Sequence, residues 1–163
     1  MNIRPCIASD AARVCDIYNH YVRETVITFE EEPVLEREMA ERVRDVTARW
    51  TWLVAEEDGV VTGYAYASAW KTRSAYRFSV ESTVYVAADH CGRGIGTRLY
   101  RALIAALREQ NVHYVTGGIA LPNPASVALH ERLGFRQVGV FSAVGRKFDT
   151  FWDVAWFQRP LRI

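Results

Sequence analysis

The sequence of 163 residues is long enough for one compact domain and too short for two ordinary ones, and half of its residues are hydrophobic, including 7 Phe, 5 Trp and 8 Tyr. Such a composition excludes a disordered chain. The 20 Lys and Arg residues nearly balance the 19 Asp and Glu residues, so the charge predicts neither a large nucleic-acid surface nor a polybasic membrane patch.

Targeting and cross-linking signals are weak throughout the chain. No window approaches the roughly 20 apolar residues of a membrane span, and charged residues such as Arg4 interrupt the N-terminal segment where a signal peptide would be apolar. The three cysteines, Cys6, Cys15 and Cys91, are odd in number and widely spaced, which predicts neither a disulfide framework nor a metal site. We therefore expect one cytoplasmic domain over residues 1–163, an enzyme or a small-molecule binder without a bound metal.

Segments with a period of two residues alternate along the chain with segments of helical period. In the clearest helical segment, apolar residues recur every three or four positions from Ile95 to Leu107. The predicted elements are a strand over 2–7, a helix capped by Ser9 or Asp10, a helix after Pro33, a hairpin over 52–69 with its turn at Asp58-Gly59, a strand over 77–86, the helix from Ile95, a strand over 112–117, a short helix from Asn123-Pro124 to Gly134, and a hairpin over 135–157. This order predicts an α/β layered domain.

A glycine-rich loop separates a predicted strand from the helix that follows it. Gly92, Gly94 and Gly96 alternate there around Arg93, a spacing that lets successive backbone N–H groups turn toward one point beside the positive end of a helix. We expect this loop to bind a phosphate; the alternative is a turn that only starts the helix. Nucleotide hydrolysis and dinucleotide redox chemistry are not favoured, because there is no Gly-Lys-Ser/Thr sequence and Thr97 stands where a dinucleotide fingerprint needs Gly or Ala.

The segment Cys91–Gly96 resembles the pyrophosphate loop of the GCN5-related N-acetyltransferases, the GNAT family, and Leu121–Phe135 resembles that family's Asn-x-x-Ser/Ala…Gly-Phe segment. Together with the latter, Val80–Val86 and Val144–Val154 resemble the branch that acetylates phosphinothricin and methionine sulfoximine. The resemblance covers nearly the whole chain and implies a mixed, mostly antiparallel sheet, splayed at its centre and flanked by about four helices. Cys91 stands where the family usually has Gln or Arg, which removes one side-chain contact to the pyrophosphate and leaves the backbone amides.

The resemblance implies that acetyl-CoA is the co-substrate and lies between two strands that splay apart. Backbone groups of Val84, Tyr85 and Val86 would meet the pantetheine arm, and an N–H near Tyr85 or Val86 would donate to the thioester oxygen as negative charge develops on it. Asn123 would contact the same arm, although its position before Pro124 equally fits a helix N-cap. The pyrophosphate would lie in the glycine loop, formed by Gly92, Arg93, Gly94, Ile95, Gly96 and Thr97.

The resemblance assigns the acid–base chemistry to two side chains. Glu81 would take a proton from the attacking amine, directly or through a water, and its apolar neighbours favour a raised pKa. The alternatives for Glu81 are a structural acid paired with the nearby Arg77 and a charge that solvates an edge strand. His130 would protonate the leaving thiolate, or it would only contact CoA.

The implied acceptor is the primary amine of a small amino acid analogue of the phosphinothricin or methionine sulfoximine type, which attacks acetyl-CoA directly in a ternary complex. Arginine forks match carboxylate or phosphinate oxygens, so Lys71, Arg73, Tyr76 and Glu81 are the expected substrate-binding residues; a solvated loop is the alternative for the first three. The resemblance also implies a homodimer. Two other functions stay open: acetylation of a protein N-terminus or lysine, and a non-catalytic fold that senses CoA.

Overall fold

Seven β-strands and four α-helices follow one another over residues 1–162, which the computed structural model describes. The strands are β1 (Asn2–Pro5), β2 (Trp52–Glu57), β3 (Val60–Ala69), β4 (Ser79–Val86), β5 (Tyr114–Ala120), β6 (Arg136–Lys147) and β7 (Thr150–Pro160). The helices are α1 (Ala11–Glu24), α2 (Glu36–Thr47), α3 (Ile95–Glu109) and α4 (Pro124–Arg132). The predicted order of elements is confirmed.

All seven strands belong to one sheet, in the order β1-β2-β3-β4-β5-β7-β6. Every junction is antiparallel except the parallel pair of β4 and β5. The pairing of β4 with β5 is limited to Ser79–Tyr114, Val80–Val115 and Glu81–Thr116, and the two strands part beyond it. The sheet is therefore mixed, mostly antiparallel and splayed at its centre, as the resemblance predicts.

Helices cover both faces of this sheet. Successive residues of a strand point to opposite faces, and accordingly Leu53 of β2 lies in one buried cluster while its neighbour Val54 lies in the other. The first cluster is built on α3, whose Leu99, Leu103 and Leu107 are fully buried. The second is built on α1 and α2. Burial of each large aliphatic side chain contributes about 1.5–3 kcal/mol, so the periodic stripe of α3 fixes that helix against the sheet beside the splay.

The start of α1 differs from the prediction. Ser9 lies in a short 3₁₀ turn before the helix, and Asp10 gives the helix no side-chain cap. The Asp10 carboxylate instead accepts hydrogen bonds from the Ile7 backbone N–H (2.9 Å) and from both terminal nitrogens of Arg4 (2.7 and 2.9 Å). Arg4 also donates to Glu56 on β2. Asp10 therefore connects the chain before α1 to the sheet edge rather than capping the helix.

Several predicted boundaries move by a few residues. The strand expected from Arg77 begins at Ser79, because residues 74–76 form a turn of 3₁₀ helix that ends at Arg77. The strand expected over 112–117 occupies Tyr114–Ala120. The last hairpin is longer than expected and turns at Phe148 and Asp149, both at positive φ, as in a tight two-residue turn. Within residues 1–162, no helix is long and apolar enough to cross a membrane.

Candidate active site

The glycine loop and the first turn of α3 form one wall of a groove of about 480 Å³, here called the loop groove. Gly92 and Gly94 have φ of +79° and +77°, a left-handed conformation that favours glycine. The amides at the start of α3 and the positive end of its dipole give the groove an anion-binding end. Eight of the predicted acetyl-CoA residues line it: Val84, Tyr85, Val86, Gly92, Gly94, Gly96, Thr97 and Asn123.

The side chains of the other two predicted loop residues point elsewhere. The Arg93 guanidinium donates to the Asp89 carbonyl (3.1 Å), and the Ile95 side chain is only 2% exposed, in the core. Neither side chain therefore lines the loop groove. The positive charge of Arg93, which the sequence predicts in the glycine loop, thus lies outside the lining of the groove.

Tyr21 of α1, which the sequence places in the apolar stripe of that helix and allows as a wall of the pocket, also lines the loop groove. Its hydroxyl donates to the Val86 carbonyl (2.5 Å) and lies 3.8 Å from the Cys91 sulfur. Burial raises the pKa of Tyr21, so its proton stays in place. The Val86 carbonyl already has a donor inside the protein, and Tyr85 lies at a hydrogen-bonded position of the pairing between β3 and β4, which leaves Val84 as the freer backbone partner of a ligand.

A second, smaller cavity of about 190 Å³ fills the splay between β4 and β5 and is called the splay cavity here. Glu81 and His130 both line it. Asn123 and Ser126, at the start of α4, line this cavity and the loop groove alike. The Asn123 side chain also accepts from the Ser126 N–H (3.1 Å) as the N-cap of α4. The anion-binding loop and the two titratable side chains therefore face one continuous space.

Glu81 is half-buried, and desolvation raises the pKa of its carboxyl group above the ordinary value, while the positive charge of Lys71 opposes the shift. Across the sheet, Glu81 is paired with Ser68 of β3. Arg77 donates to the Ser74 carbonyl (3.1 Å) and its guanidinium lies 4.4 Å from the centre of the Phe78 ring. The alternative of a Glu81–Arg77 ion pair is thus not what the structure contains.

His130 is 4% exposed, and both of its ring nitrogens are hydrogen-bonded within the protein. Nδ1 lies 2.8 Å from the Ser126 carbonyl, and Nε2 lies 3.0 Å from the Tyr100 hydroxyl. The Tyr100 hydroxyl contacts the Ser82 hydroxyl (2.6 Å), which in turn donates to the Thr116 carbonyl (3.0 Å). Tyr100 and Ser82, which the sequence did not single out, therefore join His130 to the end of the β4–β5 pairing.

This chain of four contacts ends on a carbonyl oxygen at each side, so it needs four hydrogens. A neutral imidazole and two hydroxyls supply three, whereas the imidazolium form of His130 supplies all four. Burial nevertheless lowers the pKa of His130, against the smaller effect of the Ser126 carbonyl. The site thus disfavours the charged imidazole through desolvation and provides partners for its extra proton, which suits a residue that holds a proton transiently.

The basic segment before β4 lies at the surface. Lys71 is exposed, with its ammonium 5.3 Å from the Trp70 ring, and Tyr76 packs edge-on against the same ring. Arg73 is likewise exposed. The lining of the splay cavity contains none of these three residues, and Lys71 alone is near enough to influence Glu81 electrostatically.

The tip of the last hairpin supports the loop that forms the far wall of the splay cavity. Lys147 is 2% exposed and its ammonium donates to the Thr28 carbonyl (2.8 Å). Phe29 packs so closely on Gly145 that a Cβ there has no room. Thr28 lines the splay cavity, as Glu81 does. The tip of the last hairpin, 119 residues further along the chain, therefore helps to shape this cavity.

A splayed sheet whose gap leads from a glycine loop at a helix N-terminus to a carboxyl group and an imidazole has the parts that an enzyme needs to move an acyl group from a phosphorylated carrier to a nucleophile. Comparison with known proteins specifies the family. The model of the acetyltransferase (GNAT) family matches residues 14–135, and the chain belongs to this family of acetyltransferases.

The similarity to individual relatives extends over essentially the whole chain. The chain is 45% identical to a phosphinothricin N-acetyltransferase of Streptomyces coelicolor, covering 99% of this chain and 96% of the relative. It is 35% identical to an L-methionine sulfoximine/L-methionine sulfone acetyltransferase of Salmonella typhimurium, covering 99% and 95%. A solved phosphinothricin acetyltransferase of Sinorhizobium meliloti in complex with acetyl-CoA superposes with a TM-score of 0.95 at 37% identity, covering 98% of this chain and 87% of that one.

Proposed function

We propose that this acetyltransferase moves the acetyl group of acetyl-CoA to the primary amine of a small amino acid analogue of the phosphinothricin or methionine sulfoximine type. The observation that carries the proposal is the position of Glu81 and His130 in one cavity that continues into the loop groove. The relatives named above act on these substrates or are solved with acetyl-CoA.

In the proposed complex, the pyrophosphate of CoA lies at the glycine loop and the start of α3. The pantetheine arm follows the free edge of β4 along Val84 and Tyr85, with Asn123 on the other side. This path leads the thioester from the loop groove into the splay cavity, beside Glu81 and His130. The groove lining is mostly apolar apart from backbone groups, which fits an arm that is itself largely uncharged.

The reaction is a direct transfer within a ternary complex. Glu81 takes one proton from the substrate ammonium group, because an amino group with a pKa of about 8 is mostly protonated at neutral pH. The amine nitrogen then attacks the thioester carbonyl carbon, and a new C–N bond forms as the C–S bond breaks. The CoA thiolate leaves as the free thiol with a proton supplied by the acid described below, and the second proton of the amine returns to that acid, so that the products are the N-acetyl compound and free CoA.

We infer that His130 acts as the acid together with Tyr100. Both imidazole nitrogens are engaged with protein atoms, so a proton held on Nε2 passes to the leaving thiolate through the Tyr100 hydroxyl, which lines the same cavity. The Ser82 hydroxyl stabilises Tyr100 while its proton is shared. This arrangement assigns His130 the storage of a proton and Tyr100 its delivery.

For the acceptor, we propose that Lys71, Arg73 and Tyr76 bind the acidic end of the substrate while its amine faces Glu81. Support comes from the electrostatic effect of Lys71 on the Glu81 carboxyl group. Since Arg73 and Tyr76 lie outside the splay cavity, the proposal requires their exposed segment to move toward it when the substrate binds.

We further propose that the enzyme is a cytoplasmic homodimer. The last hairpin exposes a group of large apolar side chains: Val138, Val140, Phe141, Val144, Phe148 and Phe151, each 40–62% exposed. Several exposed large apolar side chains on one hairpin are typical of a protein interface. Light scattering should give twice the chain mass, and Phe151→Ser combined with Val144→Ser should give the monomer mass.

The test of the function is a thiol-release assay with acetyl-CoA and four acceptors: L-phosphinothricin, L-methionine sulfoximine, a polyamine and a lysine-rich peptide. Glu81→Gln should lower kcat for the acidic analogues by a factor of about 10²–10⁴, the usual contribution of a general base. The matched control is Glu41→Gln, at an exposed position of α2, which should keep full activity. Turnover of the peptide alone would contradict the substrate assignment, and acetyl-CoA binding without turnover of any amine would indicate a CoA sensor.

A further inference from the structure

Four arginines converge on a groove of about 470 Å³ on the outer side of α3 and α4. Arg101 and Arg108 come from one face of α3, Arg132 from the last turn of α4, and Arg159 from β7. This site is called the arginine groove. The Gly134 backbone and the side chains of Ile104, Ala105 and Leu133 complete its lining.

The positive charge of the arginine groove is not neutralised by a carboxylate among residues 1–162. Ion pairs in this part of the chain involve other arginines. Arg159 is only partly exposed and donates to the Leu133 carbonyl, and burial, with a smaller effect of the neighbouring charge of Arg108, lowers its pKa. Four guanidinium groups gathered in this way repel one another, so an anion with several oxygens would relieve the repulsion and accept bidentate hydrogen bonds.

The arginine groove adjoins the loop groove at one residue. Arg132 lines both. On α3, Thr97 lines the loop groove and Arg101, four residues later on the same helix face, lines the arginine groove. On α4, Ala128 and Arg132 are related in the same way. One helical turn, about 5.4 Å along the helix axis, thus separates the backbone positions of Thr97 and Ala128 from those of Arg101 and Arg132.

Among the groups of acetyl-CoA, the 3′-phosphate fits this position. The thioester end of the molecule occupies the splay cavity in the proposed function, so the nucleotide end leaves the loop groove on the opposite side, toward Arg132. One ribose ring joins the pyrophosphate to the 3′-phosphate, a separation comparable to one or two helical turns, about 5–11 Å. We propose that Arg101 and Arg132 bind the 3′-phosphate of acetyl-CoA and that Arg108 and Arg159 add to the attraction from further along the groove. This inference rests on the proposed use of acetyl-CoA.

The experiment compares acetyl-CoA with 3′-dephospho-acetyl-CoA by calorimetry. The wild-type protein should bind acetyl-CoA at least tenfold more tightly, since each hydrogen bond to a charged group is worth about one factor of ten. Arg101→Gln combined with Arg132→Gln should lose about tenfold or more in affinity for acetyl-CoA and less than twofold for the dephospho compound. Arg37→Gln, an exposed arginine of α2 with the same change in charge, should alter neither affinity. Thermal unfolding of each variant checks that the chain still folds.

The outcomes separate this inference from the proposed function. Equal affinity of the wild-type protein for the two compounds, with turnover intact, would overturn the phosphate assignment and leave the acetyltransferase reaction standing. Equal losses for both compounds in the double variant would also overturn it, because the arginines would then hold another part of the nucleotide. If the double variant loses binding of inorganic phosphate but not of acetyl-CoA, the groove is a separate anion site and the assignment is wrong. Absence of acetyl-CoA binding altogether would instead refute the proposed function.

Discussion

Replacing Gly117 by alanine should disturb the acid of the proposed mechanism without replacing a catalytic side chain. Gly117 lies on β5 beneath the His130 ring, and a Cβ at this position would meet the ring atom Nε2 at 2.8 Å and the Tyr100 hydroxyl at 3.6 Å. An ordinary contact begins at 3.4 Å, so the ring has to move by about 0.6 Å. The phenyl rings of Phe135 and Phe157, with centroids 5.0 and 5.6 Å from that of His130, leave it little space.

Two effects of different size follow from this displacement. Overpacking in a buried site costs about 1–3 kcal/mol of stability, which urea unfolding measures. A displacement approaching 1 Å in a catalytic constellation costs up to about 10²-fold in rate, so kcat should fall between about 10- and 100-fold. The KM for acetyl-CoA should change less than threefold, because the loop groove is not altered.

Gly139→Ala on β6 is the matched control, since it makes the same change at a strand glycine that lines neither the loop groove nor the splay cavity. A Cβ at Gly139 would meet no atom within 4 Å. This variant should unfold within about 0.5 kcal/mol of the wild-type protein and keep kcat within threefold. Wild-type kcat in Gly117→Ala, with the protein folded, would refute the assignment of His130 to the reaction.

Three further predictions concern hydrogen bonds around the site and the sheet edge. Tyr100→Phe leaves buried acceptors without their donor, so it should cost about 1–3 kcal/mol in urea unfolding and lower kcat at least tenfold; unchanged kcat would exclude the relay from His130. Asn123→Ala removes the cap of α4 and should cost about 1 kcal/mol, with a larger KM for acetyl-CoA if the side chain also contacts the pantetheine arm. The Arg4 guanidinium lowers the pKa of Asp10. The ionised carboxylate therefore stabilises the fold at a pH above its ordinary pKa of about 3.9, and this contribution is lost as the pH falls. In Asp10→Asn, the free energy of unfolding should consequently decrease less steeply on acidification than in the wild-type protein.

Local patterns were enough to predict most of the fold. The stripe of α3 predicted a helix that the structure places between Ile95 and Glu109, and Asn123-Pro124 predicted the start of α4, because both signals depend on neighbours within one or two turns. The predicted role of Asp10 as a helix cap was wrong because its interactions depend on a residue far along the chain. Its partner Arg4 is itself held by Glu56, which is 52 residues further along the chain, and no local pattern reports such a pairing.

The sequence predicted those site residues that belong to the motifs of the family. Glu81 and His130 were expected from a resemblance, and the structure places them in one cavity; their roles remain predictions. Tyr100 was not predicted as a site residue because it is an aromatic residue within the apolar stripe of α3. Its position in the sequence does not indicate whether its hydroxyl forms a hydrogen bond. The arginine groove was equally hidden, since it assembles residues of α3, α4 and β7 that become neighbours only after folding.

The brief pairing of β4 with β5 has a consequence for the stability of the enzyme. On one side of this junction lie four strands joined by antiparallel pairing, and on the other side lie three. A pantetheine arm in the splay would act as a short surrogate strand that bridges the two parts, so the co-substrate would complete the sheet as well as supply the acetyl group. At a concentration of 100 times Kd, such a ligand adds about 2.7 kcal/mol to the free energy of unfolding. Amide hydrogens of β4 and β5 on either side of the gap should then exchange more slowly together, although only one end of each strand touches its neighbour.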